Sequence, residues 1–154
     1  MRSIAIALLA AVAALPAGAP AGFEIWSGTQ LRAYTKSLAP KMNAQKVATE
    51  QLGKWGNHTF MVAHREGNGE AELHQTQHDV FFVQSGEATL VVGGSVVDGK
   101  TTAPNEIRGP SISGGEKHKL GAGDVVHIPV NVPHQLMVDN GKQFTYSVVK
   151  IDAK

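Results

Sequence analysis

A single all-β domain, a β-barrel of the jelly-roll type with one amphipathic helix ahead of it, is the fold this sequence predicts. Three observations lead there. From Thr59 onward, short apolar alternations recur between glycines, asparagines and prolines, the pattern of many short antiparallel strands. Glycine is abundant at 17 and charged residues make up only 18%, a balance that favours a turn-rich sheet protein over a helical bundle. A length of 154 residues gives one domain a real core and leaves two without comfortable room.

The chain opens on what reads as an export signal. Arg2 is its positive end, Ile4 to Leu15 its apolar run, and Ala19-Pro20-Ala21 a small-x-small cleavage site. Residues 1–21 are therefore expected to be a cleaved signal peptide, 22–57 an N-terminal helix and lead-in, and 58–154 the barrel. The apolar run is short for a spanning helix, so no stable membrane span is expected after cleavage, and the mature protein is expected to be periplasmic or extracellular.

Between Ser27 and Met42, Leu31, Tyr34, Leu38 and Met42 recur at helical spacing, with Ser27 or Thr29 available as N-cap and Pro40 as terminator. This predicts a helix packed on the outside of the domain. Thr59 to His64 reads as a strand, followed by the turn Glu66-Gly67-Asn68-Gly69-Glu70. Glu70–His74, Val80–Gln84 and Glu87–Val92 follow as strands, with Ser85-Gly86 as the turn between the last two. Residues 93–117 read as a long connection holding a short strand or two. Leu120–Ile128, Gln135–Val138 and Phe144–Ile151 close the chain, and Asn140-Gly141 gives a hairpin signal before the last of them. The expected core and pocket wall comprise Phe81, Phe82, Val83, Leu90, Val92, Ile128, Leu136 and Tyr146.

Composition excludes several functions. A formal charge of +1 offers no electrostatic case for nucleic acid or an acidic membrane surface. With no cysteine, disulfide and thiolate chemistry are absent, so any metal must be held by nitrogen and oxygen. No phosphate-binding glycine loop, nucleophile elbow or zinc-protease motif occurs.

What remains is a constellation. Glu72 and His74 share one face of a strand, Asp79, Phe81 and Val83 share a face of the next, and about fifty residues later a strand and tight turn deliver His134. Two carboxylates and two imidazoles from separate segments suit a divalent ion such as manganese, iron(II) or zinc. On the residues alone, Asp79 is either a ligand or the group that orients His74. His78, its neighbour, is a rival ligand if the turn before the strand breaks alternation. His78 and His127 are also the candidates for moving a proton. Arg65 reads as a solvated strand end or a contact to an anionic substrate. Glu106 and Arg108, in the long connection, reach the barrel mouth only if that connection folds over it. His58 and His118 read as surface residues.

These residues resemble the two motifs of the cupin superfamily, usually G-x5-H-x-H-x3-4-E-x6-G and G-x5-P-x-G-x2-H-x3-N. In the first, His74 stands at the second histidine, Asp79 at the glutamate and Gly86 at the closing glycine. In the second, Gly123, Pro129 and His134 are in place. Four positions depart: Glu72 stands for the first histidine, Asp79 shortens the glutamate, Asn131 replaces a glycine, and Val138 replaces the asparagine. The resemblance covers about residues 60–150. It implies a small barrel with one divalent ion near its mouth, held here by Glu72, His74, Asp79 and His134, and a homodimer. The expected function is a metal-dependent enzyme of the oxygenase, isomerase or lyase type acting on a small organic molecule. The alternatives are a cupin that binds a metal or small ligand without turning it over, and a barrel whose role is structural.

Overall fold

A computed structural model describes residues 18–153. The predicted signal segment lies mostly outside these residues. Helix α1 spans Gly28–Leu38. Ser27 caps it reciprocally, its hydroxyl accepting from the Gln30 amide while the Gln30 side chain accepts from the Ser27 amide. Pro40 sits in the short 3₁₀ turn Ala39–Lys41 that ends it.

The strands follow: β1 (Val47–Trp55), β2 (His58–Arg65), β3 (Ala71–His74), β4 (Gln77–Val92), β5 (Ser95–Val97), β6 (Lys100–Ala103), β7 (Glu106–Gly109), β8 (Ser111–Ser113), β9 (Glu116–Gly121), β10 (Val125–Ile128), β11 (His134–Met137) and β12 (Phe144–Asp152). The sixteen-residue β4 organises them. Its first half pairs with β12 and β10 and its second half with β9 and β11. One strand thus serves two curled layers, β1-β2-β12-β4-β10 and β9-β4-β11-β3-β7-β6. Phe81, Val83, Leu90, Ile128, Leu136, Phe144, Tyr146 and Val148 fill the space between them. Helix α1 covers the outer face of the first layer, where Leu38 packs on Ala48 and Val62.

Several expectations are corrected. Ser85-Gly86 is not a turn between two strands but an irregularity within β4: the register against β12 skips a residue between Val83 and Ser85. The extra residue moves the inward set from Asp79, Phe81 and Val83 to Ala88 and Leu90. Gly86, at φ +78°, packs its Cα against the Gln143 carbonyl. The expected strand Leu120–Ile128 is broken at Gly123, φ +94°, where the Asp124 carboxylate accepts from the Gly121 amide at 2.7 Å. The connection 93–117 is far more ordered than expected, carrying β5 to β8 and the start of β9. β1 lies within the expected lead-in, where its only buried apolar residue is Ala48 and alternation barely shows. Phe82, expected in the core, is 39% exposed on the outer face, as alternation with Phe81 requires. Neither Glu66–Glu70 nor Asn140-Gly141 closes a hairpin; each carries the chain from one layer to the other.

Candidate metal centre

Four cross-strand pairs build the site. Glu72 on β3 faces His134 on β11 from one side and Arg108 on β7 from the other, His74 faces Glu106 on β7, and Asp79 on β4 faces Lys150 on β12. Residues distant in sequence therefore meet as direct neighbours on the inner faces of the two layers.

The histidines present their Nε2 atoms to the centre. His134 Nδ1 lies 3.1 Å from the Val132 carbonyl, which places its proton there and leaves the Nε2 lone pair free. His74 Nδ1 has Glu106 Oε1 at 2.9 Å, an ion-pair contact whose geometry falls short of a hydrogen bond. One donor atom from each of Glu72, His74 and His134 lies within 4.8 Å of the others. Glu72 Oε2 is 3.5 Å from His74 Nε2, and Asp79 Oδ2 is 3.3 Å from the same atom and 3.7 Å from His134 Nε2. Ligands held at about 2 Å from a common centre stand roughly 3 to 4 Å apart, so this donor set fits a divalent ion. Asn131, standing where the second motif has glycine, adopts φ +60° and turns the chain toward His134 as glycine would.

Asp79 differs from the expectation in one respect: Lys150 holds it. The lysine Nζ is 3.0 Å from both Asp79 oxygens and 3.0 Å from His74 Nε2. Lys150 has no place among the expected site residues, although it continues the inward alternation Phe144, Tyr146, Val148. Arg65 likewise extends the inward set Met61, Ala63. It is no solvated strand end: its side chain is 12% exposed, with Nε donating to the Tyr146 hydroxyl at 3.3 Å. Arg108 NH1 donates to Glu72 Oε1 at 2.9 Å, so the long connection does reach the mouth.

Electrostatics follow from this crowding. Burial alone would raise the Glu72 carboxyl, but His74, Arg108, His134 and Lys150 together hold it well below the usual carboxylate range. Burial likewise opposes ionisation of Asp79, and contacts from His74 and Lys150 outweigh it and lower the pKa. For His74, burial lowers and Lys150 lowers, yet Asp79, Glu106 and Glu72 prevail and push it up to about 10. The 3.0 Å contact between Lys150 Nζ and His74 Nε2 needs a lone pair on one of the two nitrogens. The carboxylates favour the imidazolium, but an imidazolium has no lone pair for Lys150, so with lysine as donor the ring is neutral and its one proton sits at Nδ1, on the side of Glu106. His134, dominated by burial, is lowered and stays neutral.

His78 and His127 do not join the centre. Their rings stack on each other, centroids 5.6 Å apart, on the opposite face of the sheet from Asp79, and His127 is exposed. Alternation decides this, since His78 precedes an inward residue and His127 precedes the buried Ile128. The proton-transfer role expected of them is withdrawn, as is His78 as a rival to Asp79.

Glu72, Asp79 and His134 form part of the wall of a cavity of about 270 Å³ lined also by Arg65, Glu70, Arg108, Tyr146 and an apolar side including Met61 and Val148.

No protein-family model matches the sequence, and no curated protein matches it significantly. Solved structures do match the fold. A conserved protein with a double-stranded β-helix domain from Klebsiella pneumoniae is 16% identical, with a TM-score of 0.57 over 86% of this chain and 92% of that one. A cupin 2 conserved barrel domain protein from Salinispora arenicola is 18% identical, with a TM-score of 0.50 over 71% and 78%. The polyketide cyclase RemF from Streptomyces resistomycificus is 16% identical, with a TM-score of 0.51 over 71% and 68%. With its two curled layers sharing β4 and its Glu–His–His cluster at the mouth, this chain has the fold of the cupin superfamily.

Proposed function

We propose that this protein is an exported, metal-dependent cupin that acts on a small anionic organic molecule, by chemistry of the oxygenase, isomerase or lyase type. One observation carries the reading: the donors of Glu72, His74 and His134 converge within 4.8 Å, and Glu72 and His134 line a partly open cavity. A bound manganese, iron(II) or zinc ion would supply Lewis acidity toward a substrate oxygen. Glu72, His74 and His134 would hold it, with Asp79 beside them.

The rest of the cavity supports an anionic substrate. Arg65, Arg108 and Lys150 face Glu70, Glu72 and Asp79, with Glu106 beside Arg108, so a divalent ion leaves the site with a net positive charge for a substrate to neutralise. Arg65 is steered by Tyr146, and its terminal N–H groups, 3.8 Å from Glu72 without a hydrogen bond to it, can meet a substrate carboxylate. Met61 and Val148 cover the carbon skeleton and keep water from it. The likeness to a polyketide cyclase is consistent with small-molecule chemistry on this fold, without choosing the reaction. Export rests on the segment 1–21, and amino-terminal sequencing of mature protein should begin near Gly22.

Metal analysis after chelation and reloading tests the centre. Wild type should take up about one manganese, iron(II) or zinc ion per chain, and Glu72→Ala or His134→Ala should weaken binding by at least about tenfold. Uptake of none of the three by wild type would remove the reading. Turnover of small carboxylic acids and diketones, under air and under nitrogen, then separates oxygenase from isomerase or lyase chemistry.

A further inference from the structure

The metal reading leaves Lys150 unexplained. Its stem comes from the inward face of β12, and its Nζ lies between the two Asp79 oxygens and His74 Nε2, 3.0 Å from each. Asp79 is 2% exposed, and among the described residues no other lysine or arginine bonds it. Two donor atoms that a divalent ion would use, Asp79 Oδ2 and His74 Nε2, are thus engaged by a positive charge belonging to the chain itself. A hydrogen bond to those lone pairs spans about 3 Å and a metal bond about 2 Å, so ammonium and ion cannot use them together.

We propose that Lys150 is a built-in competitor for the metal. Its ammonium holds the cation position between Asp79 and His74, and a divalent ion enters by displacing it into the adjoining cavity. The lysine therefore sets how tightly the centre binds metal, and it keeps the buried Asp79 carboxylate partnered whenever the metal is away. Three features make the exchange physically reasonable. The four-carbon stem can swing without moving the backbone. Lys150 is 21% exposed along its side chain and already lines the cavity it would enter. Once displaced, its charge lies beside Arg65 and Arg108, where an anionic substrate would meet it.

This inference rests on the proposed metal centre, and its test separates the two. Lys150→Met keeps length and removes charge. Titration with zinc and with manganese should show Lys150→Met binding at least about tenfold tighter than wild type, a difference of about 1.4 kcal/mol. In chelator, melting temperatures of wild type, Lys150→Met, Asp79→Asn and the double variant should show coupling: Lys150→Met melts lower than wild type, and adding Asp79→Asn recovers much of that loss. Saturating zinc should also restore Lys150→Met. Equal or weaker metal binding by Lys150→Met, with wild type binding normally, would overturn the competitor role and leave the metal centre standing. Uptake by Lys150→Met alone would support the competitor role and remove the metal centre as a feature of the natural chain. Uptake by neither protein, or melting losses that simply add, would overturn it. If Lys150→Met does not fold, Lys150→Gln carries the same measurements.

Discussion

A carboxylate with 2% exposure survives in a protein only beside compensating charge, and Asp79 meets that condition through Lys150 directly across the sheet. The same logic runs through the mouth, where Glu72 takes Arg108 and Arg65 stands within 3.8 Å of it. In the tyrosines burial counts for more than the partners, Arg65 for Tyr146 and Glu50 for Tyr34. The chain has two, Tyr34 and Tyr146, and burial is the leading cause raising both pKa values above 10.0. A raised folded pKa contributes stability that is fully present below the unfolded value and is lost as pH rises through the folded one. Phenolate absorbance of native protein should therefore remain below half its maximum at a pH of about 10, and rise together with alkaline unfolding. Half-ionisation of both tyrosines at that pH in folded protein would contradict the burial of their hydroxyls. At this scale the convergence of the candidate donors was legible in the sequence, because Glu72 and His74 share strand parity and His134 follows a turn marked by Pro129 and Asn131. Lys150, Arg65, Glu106 and Arg108 were not assigned, since a charged residue ending an apolar alternation reads equally as an inward partner or a solvated strand end.

The decisive element is β4, which serves both layers by bending rather than stopping. Its irregularity between Val83 and Ser85 changes which side chains point inward, and Gly86 makes the bend possible with φ +78°. A Cβ there would collide with the Gln143 carbonyl. Gly86→Ala should cost about 2 kcal/mol or more, read as a lower urea midpoint at unchanged slope. A variant as stable as wild type would show that the bend tolerates a side chain. In sequence, Ser85-Gly86 carries the signal of a turn between two strands. Glycine at positive φ marks a turn and a bulge alike, and only the partner strand β12, nearly sixty residues on, tells them apart. The strands of the long connection are hidden in the sequence for a related reason. β6 is exposed throughout and β7 places one buried residue, Gly109, so neither shows alternation, yet β7 supplies both Glu106 and Arg108.

For the whole molecule, the first layer separates two environments. Its inner face carries Asp79, Tyr146, Val148 and Lys150, and its outer face carries Val62 under α1. Leu38, 1% exposed, pins the helix there. Leu38→Ala should lower stability by about 2 to 4 kcal/mol in urea unfolding, yet leave zinc affinity within about twofold, because no helix residue touches the cavity. A matching loss of metal binding would mean that the two faces are coupled through the sheet. Taken alone, the sequence determined the sheet-rich class and the capped outer helix, and it named Glu72, His74, Asp79 and His134, which the fold brings together as a candidate donor cluster. Those depend on local periodicity, turn chemistry and residue type. Tertiary structure decided that His78 and His127 turn away, that Arg65 and Arg108 turn in, and that Lys150 sits among the ligands. The reason is that facing is fixed by strand register, a relation between segments up to 75 residues apart, as in the Gln77 to Asp152 contact between β4 and β12, and a single bulge reverses it.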